Sequence, residues 1–83
     1  MSAENLPRSA IEEMLSTYWR ELFGIEAVRR DENFREAGGD SIMATILANR
    51  IEGELGVRLS MEDLYGTLEQ QAIACEQLMY EGS

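Results

Sequence analysis

Apolar residues recur at three- and four-residue spacing in three stretches of the chain. This is the periodicity of a helix that buries one face and exposes the other. The three faces consist of Ile11, Leu15, Tyr18 and Leu22, then Ala44, Leu47, Ala48, Ile51 and Leu55, then Ala72, Ile73, Leu78 and Met79. The pattern predicts three main helices.

Polar N-cap residues precede these stretches, and glycines follow them. Ser, Thr and Asp side chains accept hydrogen bonds from first-turn N–H groups, and Gly adopts the left-handed conformation that ends many helices. The predicted starts are Ser9 with Glu12, Asp40, Ser60 with Asp63, and Thr67 with Gln70, and the predicted stops are Gly24, Gly56, Gly66 and Gly82. These signals place helices at about 10–23, 41–55, 61–65 and 68–80.

A long connection, GIEAVRRDENFREAGG, joins the first two helices over residues 24–39. It shows no strand-like alternation, and its apolar residues Val28 and Phe34 are expected to pack over the core. The predicted fold is therefore all-α, a small four-helix bundle of three main helices plus one short helix, with a long loop between helices one and two.

The second helix has more apolar residues than one buried face requires. Ile42 and Ile46 lie nearly opposite the core face on a helical wheel, and Met43 lies on the flank. Either the preceding loop, through Val28 or Phe34, covers Ile42 or Ile46, or these side chains dock a partner. For Met43 and Ile46 together, the docking interpretation is favoured because a flexible Met suits adaptable recognition.

The composition of the chain excludes several classes of function. The chain has 83 residues, 16 acidic and 7 basic side chains, a net charge of −9, no His and one Cys. This length predicts a single domain over 1–83, and the missing residue types exclude a His-based triad, a two-cysteine zinc site and an internal disulfide. The acidity argues against nucleic acid and anionic membranes, and the absence of a long apolar run or signal peptide predicts a cytoplasmic protein.

Ser41 lies in the first turn of the second helix, directly after Gly38, Gly39 and Asp40. A phosphate attached there would be stabilised by the free N–H groups and the positive end of the helix dipole. The two glycines let the backbone bend and let another protein approach closely. On spacing alone an ordinary cap remains the commoner interpretation of this motif.

The stretch DENFREAGGDSIMATILANRIEGELGVRLSMEDLY resembles the phosphopantetheine-dependent carrier proteins, most closely the peptidyl carrier (thiolation) domains of nonribosomal peptide synthesis. The family signature is Leu-Gly-Gly-(Asp/His/Asn)-Ser-(Leu/Ile), matched here by 37–42. The flanking matches are Trp19, Gly24, Val28, Asn33 and Phe34 before it and the segment GVRLSMEDLY after it. The resemblance covers most of the chain.

The resemblance implies that a phosphopantetheinyl transferase attaches 4'-phosphopantetheine from coenzyme A to Ser41. An adenylation or loading enzyme would place an aminoacyl or acyl group on the arm as a thioester, and the arm would carry it to condensation or tailoring enzymes. The carrier itself would not be an enzyme. Asp40 would be contacted by the transferase. The partner-binding residues implied are Gly39, Asp40, Ile42, Met43, Ile46, Met61 and Tyr65.

Two positions depart from the family pattern. Ala37 replaces the usual Leu before the glycines, which removes an apolar anchor from the end of the loop. The family tends to carry Pro-Thr after the third helix, where an ungapped alignment places Leu68 and Glu69, and aligning Thr67 requires a two-residue deletion. The junction of helices three and four is therefore the least secure part of the match.

The other candidate residues favour structural roles. Trp19 and Cys75 are expected in the core, Cys75 as an unreactive thiol beside an acidic neighbour. Asp31 and Asn33 lack the glycine and terminal glutamate of an EF-hand, so no metal site is predicted. Arg29 and Arg30 are interpreted as solvated loop residues in preference to a phosphate site.

Two other functions remain open. One is a polyketide or fatty-acid type of acyl carrier, although the double glycine favours the peptidyl class. The other is an unmodified helical adaptor that binds a partner through Ile42, Met43 and Ile46. The sequence predicts a monomer and favours a free-standing carrier, while the cargo is set by the loading enzyme and not by the carrier.

Overall fold

The computed structural model describes residues 6–81 of the chain. It contains four helices, α1 (Arg8–Phe23), α2 (Ser41–Leu55), α3 (Met61–Leu64) and α4 (Leu68–Glu81), and no strand among the described residues. The predicted all-α bundle with one short helix is confirmed. No helix of this part of the chain is long and apolar enough to cross a bilayer.

The start of α1 differs from the sequence prediction. The helix begins two residues earlier, after Pro7, and no side chain caps it. The Pro7 carbonyl accepts the first two helical hydrogen bonds, from the N–H groups of Ala10 and Ile11. The Ser9 capping box is therefore wrong, because Pro7 provides an extended residue from which the helix starts and places Ser9 inside the first turn.

Most of the other predicted caps that the structure describes are confirmed, but Gly66 is not the stop of α3, because that helix ends at Leu64 with Tyr65 as its C-cap and Gly66 does not adopt the left-handed conformation. Gly24 and Gly56 end α1 and α2 in the left-handed conformation, and the Ser60 hydroxyl accepts from the Asp63 N–H. Thr67 and Gln70 form a reciprocal capping box of 3.0 and 2.8 Å at the start of α4. Thr67 therefore caps α4, so this junction follows the gapped alignment. Gly82, the predicted stop of α4, lies outside the described residues.

The core lies where α1 packs against α4 and α2, with α3 between α2 and α4. The fully buried residues with large side chains include Trp19, Ile11, Leu15, Leu47, Ile51, Leu64 and Phe34. The predicted faces supply Ile11, Leu15, Leu47 and Ile51, and Trp19 and Cys75 are buried as expected. Within those faces Leu22, Ala48, Ile73 and Leu78 are only partly buried.

One buried polar side chain links three helices. Gln71 of α4 is fully buried, accepts a hydrogen bond from the Trp19 indole at 2.9 Å and donates one to the Leu64 carbonyl at 2.7 Å. This pairing satisfies polar groups that would otherwise be orphaned in the core. The position of α3 therefore depends on α1 and α4 as well as on its own packing.

The long loop is attached to the junction of α3 and α4. The Phe34 N–H donates to the Gly66 carbonyl at 2.9 Å and the Leu68 N–H donates to the Glu32 carbonyl at 3.1 Å, forming an isolated bridge between Asn33 and Thr67. Phe34 is fully buried and Val28 packs against the core, as predicted. These contacts anchor the loop just before it leads into α2.

Candidate functional site

The start of α2 is built by Asp40. Its backbone is extended, its side-chain Oδ1 accepts from the Met43 N–H at 2.9 Å, and its carbonyl accepts from the Ala44 N–H at 2.9 Å. This is the N-cap geometry predicted from the sequence. Ser41 follows as the first helical residue and is exposed, so its hydroxyl is accessible at the helix N-terminus.

The turn before Asp40 requires its glycines. Gly38 has φ +108°, a conformation that residues with a Cβ rarely adopt. Gly39 donates to the Phe34 carbonyl at 2.9 Å, and a Cβ at this position would overlap the Phe34 ring and carbonyl. The chain therefore packs backbone directly on a buried aromatic ring immediately before Ser41.

An aromatic cluster holds that ring in place. Phe34 contacts Trp19 and Phe23 edge-on or tilted, each with ring centroids 5.2 Å apart. Tyr65, just after α3, lies 6.3 Å from Phe34 on a third side. Such tilted contacts are the favoured geometry for aromatic pairs. Because Gly39 rests on Phe34, the cluster fixes the turn that presents Ser41 relative to α1 and α3.

Large apolar side chains are exposed on the two helices nearest this turn. Ile42 is 70% exposed, Ile46 43% and Met61 49%. The loop covers neither isoleucine, so the covering interpretation of this face does not apply. Met43 differs, since it is half-buried and packs against the core. We call Ile42, Ile46 and Met61 the exposed apolar set.

The same part of α2 is electrically neutral. No charged side chain occurs from Ser41 to Asn49, although the whole chain carries a net charge of −9. The N–H groups of Ser41 and Ile42 have no acceptor among residues 6–81. An anion at an exposed helix N-terminus is stabilised by about 0.3–1 kcal/mol. The site therefore accommodates a phosphate ester on Ser41, with free donors and no acid in the first turn.

Arg35 completes the surroundings of this turn, and the sequence did not single it out. Its guanidinium carbon lies 4.7 Å from the Tyr65 ring centroid, a cation–π contact. Its carbonyl accepts from the Gly38 N–H at 3.1 Å. The contact between Arg35 and Tyr65 joins residues 30 positions apart in the chain, so no local spacing indicates it.

The remaining sequence candidates take part in other contacts. Arg29 pairs with Asp31 at 2.7 Å, and Arg30 pairs with Glu12 and Glu69. Both guanidinium groups are thus bound to carboxylates in the structure. The Asn33 side chain accepts from two loop N–H groups, and residues 6–81 contain no group of three or more His, Cys, Asp or Glu that could hold a metal ion.

Cys75 has the inert character expected from its position. Burial, with a smaller contribution from Asp63, raises the pKa of its thiol to about 12. A protonated thiol is a poor nucleophile. Cys75 therefore belongs to the core and not to the site.

The chain matches the family model described as the phosphopantetheine attachment site over residues 13–75. Among curated proteins, it is 41% identical over 66 residues to gramicidin S synthase 1 of Brevibacillus brevis, covering 77% of this chain and 6% of that protein. It is 36% identical over 69 residues to tyrocidine synthase 2 of Brevibacillus parabrevis, covering 81% of this chain and 2% of that protein. The chain therefore spans only a small part of these relatives.

Two solved structures are similar in fold. BlmI, a type-II acyl carrier protein from Streptomyces verticillus involved in bleomycin biosynthesis, superposes with a TM-score of 0.72 at 31% identity, covering 80% of this chain and 82% of BlmI. An active-site mutant of a peptidyl carrier protein superposes with a TM-score of 0.77 at 24% identity, covering 84% of this chain and 80% of that one. The second likeness concerns the fold alone.

Proposed function

We propose a function from one premise: this chain belongs to the family of phosphopantetheine-dependent carrier proteins, as a carrier domain of the kind found in nonribosomal peptide synthetases. Members of this family bind 4'-phosphopantetheine covalently. The group supplies a flexible arm whose terminal thiol carries an acyl group as a thioester. Carrier domains of this kind serve a phosphopantetheinyl transferase and synthetase enzymes.

We propose Ser41 as the attachment residue. The observation that carries this assignment is an exposed hydroxyl on the first residue of a capped helix, with two free N–H groups beside it. In the transfer, the Ser41 Oγ forms the new bond to phosphorus while the bond from phosphorus to the adenosine bisphosphate portion of coenzyme A breaks. The base that takes the hydroxyl proton is assigned to the transferase.

Other residues expose this hydroxyl and fix its position. Asp40 holds the first turn through the Met43 N–H, and Gly39 on Phe34 fixes the approach of the loop. The exposed apolar set, with Met43 and Tyr65 at its margin, is proposed as the surface that adenylation, condensation or tailoring enzymes contact. An exposed apolar surface beside the site is typical of docking regions.

The proposal treats residues 1–83 as one non-catalytic carrier domain that acts as a monomer in the cytoplasm, where coenzyme A is available. The cargo is an aminoacyl or acyl group selected by the loading enzyme. Similarity to a type-II acyl carrier protein of bleomycin biosynthesis supports a place in natural-product assembly. Size-exclusion chromatography with light scattering tests whether the protein is a monomer.

Intact-protein mass spectrometry tests the attachment site. The chain is incubated with coenzyme A and a broad-specificity phosphopantetheinyl transferase, beside the variants Ser41→Ala and Ser9→Ala. Ser9 is a matched control because it is also an exposed serine in the first turn of a helix. We expect one added phosphopantetheine on the parent and on Ser9→Ala and none on Ser41→Ala.

The opposite results separate the alternatives. Addition of phosphopantetheine to the Ser41→Ala variant would mean that another hydroxyl is the attachment site. No addition to the folded parent would reject the carrier function and leave the adaptor, whose binding would survive Ser41→Ala and fail when Ile42 and Ile46 are replaced.

A further inference from the structure

Arginine pairing in this chain is uneven. All seven basic side chains are arginines, and five of them form ion pairs with carboxylates. Arg20 and Arg35 have no carboxylate within ion-pair distance among the described residues. Arg20 donates to Thr17 and to the Ser16 carbonyl on its own helix, whereas Arg35 lies in the loop that leads to Ser41.

Arg35 is held without using its hydrogen-bond donors. The guanidinium stacks 4.7 Å from the Tyr65 ring centroid, and a cation–π contact engages the face of the group while its N–H donors at the edge stay available. The backbone is fixed as well, because the Arg35 N–H donates to Asn33 Oδ1 at 2.9 Å and its carbonyl accepts from Gly38. Arg35 is thus a positioned and exposed cation.

The backbone of Arg35 lies close to the attachment residue. The Arg35 carbonyl and the Gly38 N–H are 3.1 Å apart, and Ser41 follows Gly38 by three residues, at most about 11 Å even when fully extended. A transferase must bring its reacting phosphate to the Ser41 hydroxyl, so its surface necessarily covers the neighbourhood of this turn. Later enzymes reach the cargo through the arm and are not bound by that requirement.

We propose that Arg35 is a recognition residue for the phosphopantetheinyl transferase and pairs with an acidic side chain of that enzyme at the margin of the exposed apolar set. The proposal rests on the proposed function. The neutral segment of α2 from Ser41 to Asn49 provides no charge that could orient the docked enzyme. Arg35 provides a positive group for this orientation, whereas the Asp40 carboxylate beside Ser41 is engaged in capping α2, and planar, bidentate pairing with a carboxylate is the geometry that a guanidinium favours.

The test measures steady-state pantetheinylation kinetics of the parent, Arg35→Ala, Arg35→Lys and Arg20→Ala. Each alanine variant makes the net charge one unit more negative, so the two share the same overall field and differ in position. We expect Arg35→Ala to raise the KM for the carrier about two- to fivefold, the range of an exposed ion pair. The kcat and the KM for coenzyme A should not change.

The controls and salt dependence complete the expectation. Arg20→Ala should behave like the parent, and Arg35→Lys should recover only part of the affinity, because it keeps the charge but loses the planar, bidentate pairing and the stacking on Tyr65. The difference in KM between Arg35→Ala and Arg20→Ala should shrink at about 0.5 M salt, since a marginal ion pair is screened.

Two results would overturn the proposal. One is an equal KM for the carrier in Arg35→Ala and Arg20→Ala. The other is a rise confined to the KM for coenzyme A, which would place Arg35 against a cofactor phosphate. If the parent itself gains no phosphopantetheine, the proposed function has failed, and that outcome is distinct from either of these.

Discussion

Replacing Gln71 by Ala should destabilise the bundle far more than replacing an exposed glutamine of the same helix. Gln71 is fully buried and pairs with the Trp19 indole and the Leu64 carbonyl. Its removal leaves one donor and one acceptor unsatisfied in the core. Each orphaned group costs about 1–3 kcal/mol, so the two together predict a loss of about 2–6 kcal/mol before the structure relaxes.

That loss is large for a chain of this size. At about 0.05–0.15 kcal/mol per residue, a chain of 83 residues has a free energy of unfolding of about 4–12 kcal/mol. The matched control is Gln77→Ala, because Gln77 is exposed on the same helix and its replacement should change stability by less than about 0.5 kcal/mol.

Urea unfolding followed by the fluorescence of Trp19, the single tryptophan, measures the effect. With a slope of about 1 kcal/mol per molar urea for a small domain, Gln71→Ala should lower the midpoint by at least about 2 M. A midpoint within about 0.5 M of that of Gln77→Ala would refute the reasoning, since it would mean that water or a shifted side chain satisfies both orphaned groups.

Three further predictions concern the turn, the cap and the thiol. Gly39→Ala should destabilise the domain by about 1–3 kcal/mol, because the added Cβ overlaps Phe34. Gly53→Ala should instead stabilise it by about 0.5–1 kcal/mol, because Gly53 lies in mid-helix with open space around it. Thermal unfolding compares the two variants. Asp40→Ala should cost about 0.5–2 kcal/mol and Asp40→Asn much less, measured in the same way. Because the pKa of Cys75 is about 12 in the fold against 9.0 ordinarily, the unfolded chain loses its proton first. The stability that is present below pH 9 should therefore fall as the pH rises above 9, by up to about 1.4 kcal/mol per pH unit. The Cys75→Ala variant should lack this decline between pH 9 and 10.

Much of the fold could be predicted because its helix boundaries are set by neighbouring residues. The end of α1 and both ends of α2 depend on Asp40, Gly24 and Gly56, each within four residues of the groups it caps. The capping error at the start of α1 arose where two local signals competed. Pro7 supplied an extended residue ahead of Ser9, and the helix started from it.

The contacts that the sequence did not reveal join distant positions. The bond between Gln71 and Trp19 spans 52 residues. The spacing of Leu68 and Cys75 places Gln71 on the buried face of α4, but it does not indicate which group on another helix pairs with it. The bridge between Asn33 and Thr67 likewise depends on how the loop packs. The exposed apolar set was ambiguous for the same reason, because only the path of the loop decides whether Ile42 is covered.

The location of charge explains how an acidic chain can present a selective site. Most arginines are bound in ion pairs with the chain's own carboxylates, Arg30 with Glu12 and Glu69 among them, so they contribute little net attraction to a partner. The first turns of α2 that follow the Asp40 cap are instead neutral and apolar, with Arg35 in the preceding loop. Apolar contact is non-directional, so under the proposed function it would provide affinity for several enzymes without fixing their orientation. A single positioned cation would add direction, so that partners sharing the apolar contact would be distinguished by whether they carry a carboxylate for Arg35.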